Sequence, residues 1–275
     1  MISLSELVRL SLAEDIGPGD LTTRATVPPT AAGEARIYAK EALVVSGQDA
    51  AVEVFGQLGV RYDVLAPDGA SVEPGTDIGW AVGPLASIIT AERVALNFLM
   101  RLSGVATHVR RCTDGITGLD VLDTRKTTPL HRALEKAAVR HGGGKNHRFG
   151  LFDGVLIKDN HIVAAGGLRE AVRRARAAAH PLLRVEVEVE TLEELEWALE
   201  AGADVVLLDN MDDDLLRRAV AVTARRARLE ASGNMTAERV RRLAGIGVDQ
   251  VSMGGLIHQS RWVDLSLRVL PPTVG

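Results

Sequence analysis

The alternation of apolar and polar positions divides the chain into two stretches with different rhythms. Near the start, Leu4, Leu7, Val8 and Leu12 recur at helical spacing and predict a helix over Ser3–Ala13, closed by the turn-rich run Glu14-Asp15-Ile16-Gly17-Pro18-Gly19-Asp20. Short runs at Ala35–Ala39, Leu43–Ser46, Val60–Leu65, Ala70–Val72 and Ile78–Val82 read as strands, with a helix over Asp49–Leu58 among them. Helical spacing then carries Ile88, Ile89, Leu96, Leu99 and Leu102 along Leu85–Arg111, where Gly104 is expected to break or bend the helix.

Past Gly118 the rhythm changes. Apolar strands recur at Leu119–Leu122, Gly154–Ile157, Arg184–Val189, Val205–Leu208, Arg228–Ala231 and Gln250–Met253. Helix-like segments follow at Leu168–Ala179, Leu192–Ala201, Asp213–Arg226 and Ala237–Ala244. Repeated β-then-α units predict a parallel sheet, and this many predict a closed or nearly closed barrel. A doubly wound open sheet competes, weakened because no Gly-x-Gly-x-x-Gly turn follows the first strand. The change of rhythm puts a boundary near Cys112–Gly118. It gives a first domain over 1–112 and an α/β barrel over 113–275, whose last helix is expected to pack back on the first domain.

Composition narrows the class. A length of 275 residues accommodates one barrel and a smaller companion, and 46% hydrophobic content supports a sizeable core. A net charge of −4 removes the general argument for nucleic-acid binding. No apolar run reaches membrane-spanning length, and the N-terminus lacks the layout of a signal peptide. Cys112 is the only cysteine, so no intramolecular disulfide forms, and a cytoplasmic location is expected. Only five of the 32 basic residues are lysines, and four of those five lie between Lys126 and Lys158. Lysine retained there in an arginine-rich chain points to chemistry that guanidinium does not supply.

In β/α barrels ligands bind where strands end. Here Asp123-Thr124-Arg125-Lys126 and Lys158-Asp159-Asn160-His161 follow the first two strands. Glu188 and Glu190 end the third, Asp209-Asn210 the fourth, Ser232-Gly233-Asn234 follows the fifth and Gly254-Gly255 the sixth. The third strand, Arg184–Glu190, alternates valine with glutamate. Either it is an edge strand with a wet face, or its glutamates point into the barrel mouth, where cations or a metal offset their desolvation. Glu188 with Asp209 is a pair suited to help hold Mg²⁺. Arg125, Lys126, Arg148 and Lys158 sit at strand ends or beside Gly142–Gly144, calling for a ligand with several negative charges. Lys136 and Arg140 are read as the solvated face of a basic helix.

These segments carry a family resemblance. Asp123-Thr-Arg-Lys-Thr-Thr-Pro129, Leu134-Glu-Lys-Ala-Ala-Val-Arg140, Gly142-Gly-Gly-Lys-Asn-His-Arg148 and Leu156-Ile-Lys-Asp-Asn-His161 closely resemble quinolinate phosphoribosyltransferases. The likeness extends to Gly19-Asp20-Leu-Thr-Thr23, Glu92-Arg93, Glu186–Glu190, Leu208-Asp209-Asn210, Ala231-Ser-Gly-Asn234 and Ser252-Met-Gly-Gly-Leu256. The resemblance implies an N-terminal α/β sandwich on an incomplete, TIM-like α/β barrel, assembled at least as a homodimer. It implies transfer of a phosphoribosyl group from 5-phosphoribosyl-1-pyrophosphate to quinolinate with Mg²⁺ as cofactor, giving nicotinate mononucleotide, pyrophosphate and carbon dioxide. By that analogy Arg125, His147, Arg148 and Lys158 grip the quinolinate carboxylates, and Arg93 reaches across from the partner subunit. Lys126, Glu188 and Asp209 serve the pyrophosphate sugar and its metal, while Ser232, Gly233 and Gly254 line the 5′-phosphate pocket.

The sequence departs from the family pattern at Leu130-His131, where Gly-Leu is usual, and at His141, where a small residue or cysteine is usual. Three other readings remain at this level. They are a paralogue using another aromatic acid, a Schiff-base lyase with Lys158 or Lys126 as nucleophile, and a non-catalytic anion receptor.

Overall fold

The computed structural model describes residues 2–270. In chain order the elements are α1 (Leu4–Ile16), α2 (Leu21–Thr26), β1 (Ala32–Ala39), β2 (Leu43–Val44), α3 (Gln48–Gln57), β3 (Arg61–Val64), β4 (Ser71–Val72), β5 (Asp77–Pro84) and α4 (Leu85–Thr113). There follow β6 (Asp120–Leu122), α5 (Arg132–His141), β7 (Val155–Ile157), α6 (Asp159–Ala165), α7 (Leu168–Ala178), β8 (Val185–Val189) and α8 (Leu192–Glu200). The last are β9 (Val205–Asp209), α9 (Asp213–Thr223), β10 (Arg228–Ser232), α10 (Ala237–Leu243), β11 (Gln250–Ser252), α11 (Gly255–His258) and β12 (Leu265–Val269).

Contacts divide the chain into two compact units. The first takes the chain through Arg110, then Thr128–Gly143, then the stretch from Gln259; the second takes Arg111–Thr127 and Gly144–His258. The first crossing lies beside the expected boundary at 112, but the later segments alternate between units where one cut had been drawn. The chain does return to the first unit, as the strand β12 rather than as a helix.

The first unit is built on an antiparallel sheet of order β12-β1-β5-β3. Along β1 the period-two pattern buries Ala35, Ile37 and Ala39, and these join Leu7, Val8, Phe55, Ile78, Ile88 and Leu99 in one apolar core. Helix α4 runs unbroken through Gly104. A Cβ at Gly104 would overlap the carbonyl oxygen of Arg261, so the glycine permits a close backbone approach and does not end the helix. Gly104→Ala is therefore expected to lose about 1–3 kcal/mol despite alanine's better helix propensity. An unchanged urea midpoint contradicts this.

The second unit carries a six-stranded parallel sheet of order β6-β11-β10-β9-β8-β7. From β7 to β11 each strand pairs with its successor in one direction, and β11 then pairs with β6, the first strand of the series. A doubly wound sheet reverses direction partway; this order instead wraps as a barrel does, open between β6 and β7. Strand β8 lies between β7 and β9, so the edge-strand reading of its glutamates fails. Val185, Val187 and Val189 are buried on one face, while Glu186 is buried and Glu188 half-buried on the other. Lys136 corrects another expectation, for it is only 2% exposed where a solvated face had been predicted. Among the described residues no helix is long and apolar enough to cross a membrane.

Candidate active site

The register of the parallel sheet decides which strand-end side chains meet. Glu188 pairs with Leu207, Leu207 with Glu230, and Glu230 with Gln250, so these four share one face and one level. One level nearer the carboxyl ends stand Asp209 and its pair Ser232. Lys158, just past β7 and two residues beyond Leu156, pairs its ammonium with the Glu188 carboxylate.

A cavity of about 280 Å³ opens on this face. Arg125, Lys126, His147, Arg148, Lys158 and Ser232 all line it, with Leu156 and Leu207 supplying apolar wall and Glu230 and Ser252 at its side. A cavity of about 520 Å³ exists in the first unit, but Arg101 is the lone lysine or arginine at its wall and is already held by Glu135. Charge sets the smaller cavity above this one. Its place at the carboxyl ends of the strands sets it above a cavity of about 800 Å³ that Arg184, Arg225, Arg226 and Arg228 line at their amino ends. Gly233 and Gly254 occupy the loops after β10 and β11. A Cβ at Gly233, whose φ is +91°, would overlap Asn210 Oδ1, so that loop requires glycine. Arg93 is exposed on α4 of the first unit and is not among the side chains the second unit gathers.

Local structure explains how the basic side chains are presented. Lys145 exchanges backbone hydrogen bonds with Val121 and Asp123, laying the segment after the glycines alongside β6. Asp123, with no exposed surface, then accepts from the His147 backbone N–H at 2.8 Å and from Asn146 Nδ2 at 2.7 Å. That buried aspartate fixes the entry to His147-Arg148, a role the sequence did not single out. The Arg148 guanidinium donates to the Gly154 carbonyl at 3.1 Å. Burial, and next the nearby Arg125 guanidinium, lower the Arg148 pKa. Two guanidiniums this close have the arrangement that a shared anion would favour. Arg239, also unanticipated, ties the Gly233 carbonyl at 2.9 Å to that of Met211 at 2.5 Å.

His147 sits at the cavity floor with both ring nitrogens directed to protein partners. Nδ1 accepts the Arg148 backbone N–H at 2.8 Å, so the ring proton sits on Nε2. Nε2 lies 3.1 Å from Glu186 Oε2 and 3.6 Å from Glu230 Oε2. These three groups have the composition of a metal site, with ligand atoms within 4.8 Å of one another. The tautomer argues otherwise, since the nitrogen that would bind a metal already carries a proton.

Two models of known families match the chain: the quinolinate phosphoribosyl transferase N-terminal domain over residues 20–103 and its C-terminal domain over 105–268. The chain belongs to the quinolinate phosphoribosyltransferase family. Within it, a probable carboxylating nicotinate-nucleotide pyrophosphorylase of Bacillus subtilis is 42% identical over 98% of this chain and 94% of its own length. A similarly named protein of Synechocystis is 41% identical over 94% of this chain and 90% of its own. Among solved structures, NadC from Streptococcus pyogenes superposes with a TM-score of 0.93 at 38% identity, covering 98% of this chain and 97% of that one. Leu130, which follows Pro129, has a left-handed φ of 66°. His131 stacks on Phe98 at 5.8 Å, and His141 Nδ1 is 2.9 Å from Ser46 Oγ; all three departures lie in the first unit.

Proposed function

We propose that this chain transfers the phosphoribosyl group of 5-phosphoribosyl-1-pyrophosphate to quinolinate and releases carbon dioxide, forming nicotinate mononucleotide for NAD biosynthesis. The observation that carries the reading is one cavity in which Arg125, Lys126, Arg148 and Lys158 converge opposite the carboxylates of neighbouring strands. Arg125 and Arg148 suit the two adjacent carboxylates of quinolinate, and Leu156 and Leu207 suit its ring faces. With both His147 nitrogens turned to protein, carboxylate binding falls to the cations. Lys126 and Lys158 neutralise pyrophosphate as it leaves, and the positive charge growing on the ribose is stabilised by Glu188 and Asp209. Ser232 and the glycine loops at Gly233 and Gly254 offer hydroxyl and backbone N–H groups to the 5′-phosphate.

The donor set at Glu188 and Asp209 fits Mg²⁺, being two hard carboxylates near the carboxyl ends of adjacent strands. Mg²⁺ completes such a site with water and substrate phosphates, and when bound it neutralises the pyrophosphate. The cytoplasmic setting and a homodimer completed by Arg93 of one subunit belong to the same proposal. The Lys158 nitrogen is engaged by the Glu188 carboxylate, which disfavours it as the nucleophile of the Schiff-base alternative.

Incubation with quinolinate, 5-phosphoribosyl-1-pyrophosphate and Mg²⁺ is expected to yield nicotinate mononucleotide; no product with any divalent metal sinks the assignment. Arg148→Ala is expected to raise the KM for quinolinate by about 10- to 100-fold, the worth of one charge-assisted hydrogen-bonded pair. A KM unchanged by that substitution moves the carboxylate site elsewhere.

A further inference from the structure

Decarboxylation leaves a demand that the four cations do not meet. When carbon dioxide leaves, the pyridine ring carbon that bore it needs a proton, and the chemical role of these four cations is to hold anions. The cavity contains one side chain of a different kind. Glu230 lines it from the middle of β10, yet has no exposed surface.

The surroundings of Glu230 are built to hold a proton. From β11, Gln250 Nε2 donates to Glu230 Oε2 at 2.6 Å. From β8, Glu186 approaches, with the single N–H of His147 Nε2 set between the two carboxyls. From β9 the register neighbour is Leu207, which brings no charge. One N–H cannot satisfy two buried carboxylates, so ionising both leaves a negative charge without a partner in a dry site. Glu230 Oε1 has no hydrogen-bond partner, although it is buried. An acid proton there has no acceptor among the described protein groups, and the place of Glu230 in the cavity wall makes the cavity the side toward which it would pass.

We propose that Glu230 is the general acid that protonates the ring carbon vacated by carbon dioxide, with His147 and Glu186 as the positioning pair that keeps it in its acid form. The inference rests on the reaction proposed above. In this step the bond between ring carbon and carboxyl carbon breaks, and its electron pair stays on the ring carbon beside the cationic nitrogen. A C–H bond then forms with the Glu230 proton. The electrons of the broken O–H bond remain on Glu230, which becomes a carboxylate and is reprotonated by solvent. Burial first, and then the charge of Glu186, push the Glu230 carboxyl up to about 7, against an opposing pull from His147 and the Ser252 and Gln250 hydrogen bonds. The acid form is the active one, so the step slows as pH rises through that value.

The test is single turnover of Glu230→Gln, following pyrophosphate release and nicotinate mononucleotide formation separately. The amide keeps the shape and holds no acidic proton. Pyrophosphate release is expected within about threefold of wild type, whereas product formation falls about 100-fold, the usual scale for a lost general acid. Undecarboxylated quinolinate mononucleotide then accumulates. The falling alkaline limb of the wild-type decarboxylation step is expected to vanish in the variant. Product formed at the wild-type rate overturns the proposal, and so does an equal loss of both steps, which marks a purely structural glutamate. If the variant fails to fold, the wild-type profile alone decides, for a decarboxylation rate flat from pH 6 to about pH 9 excludes an acid of this kind. A wild-type protein that releases no pyrophosphate from quinolinate and the sugar sinks the reaction assignment itself, a distinguishable result.

Discussion

Lys158→Ala is expected to lower kcat/KM about 1000-fold while the protein unfolds within a few degrees of wild type. Two effects act together. The ammonium is lost from a cavity that must hold a multiply charged anion, and Glu188, its partner at the rim, is left uncompensated facing that anion. The first loss alone corresponds to about 10²–10³ in rate for a preorganised donor. The second adds repulsion where there had been a neutral pair. Stability moves little because the Lys158 side chain is 45% exposed, and ion pairs that open to water contribute about 0–1 kcal/mol. Lys158→Arg is not expected to restore turnover, since a planar guanidinium cannot replace a compact ammonium at the same contact. Steady-state kinetics beside thermal unfolding separates the cases. Wild-type turnover in Lys158→Ala removes the lysine from the site.

Much of the site was legible because the parallel α/β arrangement obeys a strong positional rule. Once Gly154–Ile157 and Arg184–Val189 read as strands, Lys158 and Glu188 followed as neighbours at their ends, and the structure pairs them. Register, by contrast, is not written in local sequence. Glu230 sits in an Arg-Leu-Glu-Ala stretch that reads equally well as a strand with one wet face. Only its pairing with Leu207 and Gln250 turns it toward Glu186 and His147. The burial of Lys136 was missed for the opposite reason, because a helical stripe predicts where apolar residues go and says nothing of a buried polar one. Strand β12 did carry a signal, in the alternation of buried Leu265 and Leu267 with Ser266 and Arg268. The repeated crossings between units left none, since a boundary drawn from rhythm assumes each domain is one continuous stretch.

Glu135→Ala is expected to be the most destabilising single change in the first unit, by about 3–5 kcal/mol. The carboxylate has no exposed surface and opens the first turn of α5. Its Oε1 accepts from Arg101 Nε at 3.0 Å, Arg101 Nη2 at 2.7 Å and Thr128 Oγ1 at 2.8 Å, and its Oε2 accepts from the Thr128 backbone N–H at 2.8 Å. Alanine removes four acceptor contacts at once. It takes the carboxylate from the Arg101 guanidinium, whose side chain is only 15% exposed and which also donates to the Ser260 carbonyl and hydroxyl. A largely buried cation deprived of this carboxylate accounts for the larger part of the cost. Arg101→Met combined with Glu135→Leu is therefore expected to recover more than half of the loss, because removing both charges takes partners only from neutral groups, those of Thr128 and Ser260. Urea unfolding of the single and double variants measures this directly. A double variant no more stable than Glu135→Ala shows that the Thr128 bonds, and not the Arg101–Glu135 pair, hold this part of the unit together.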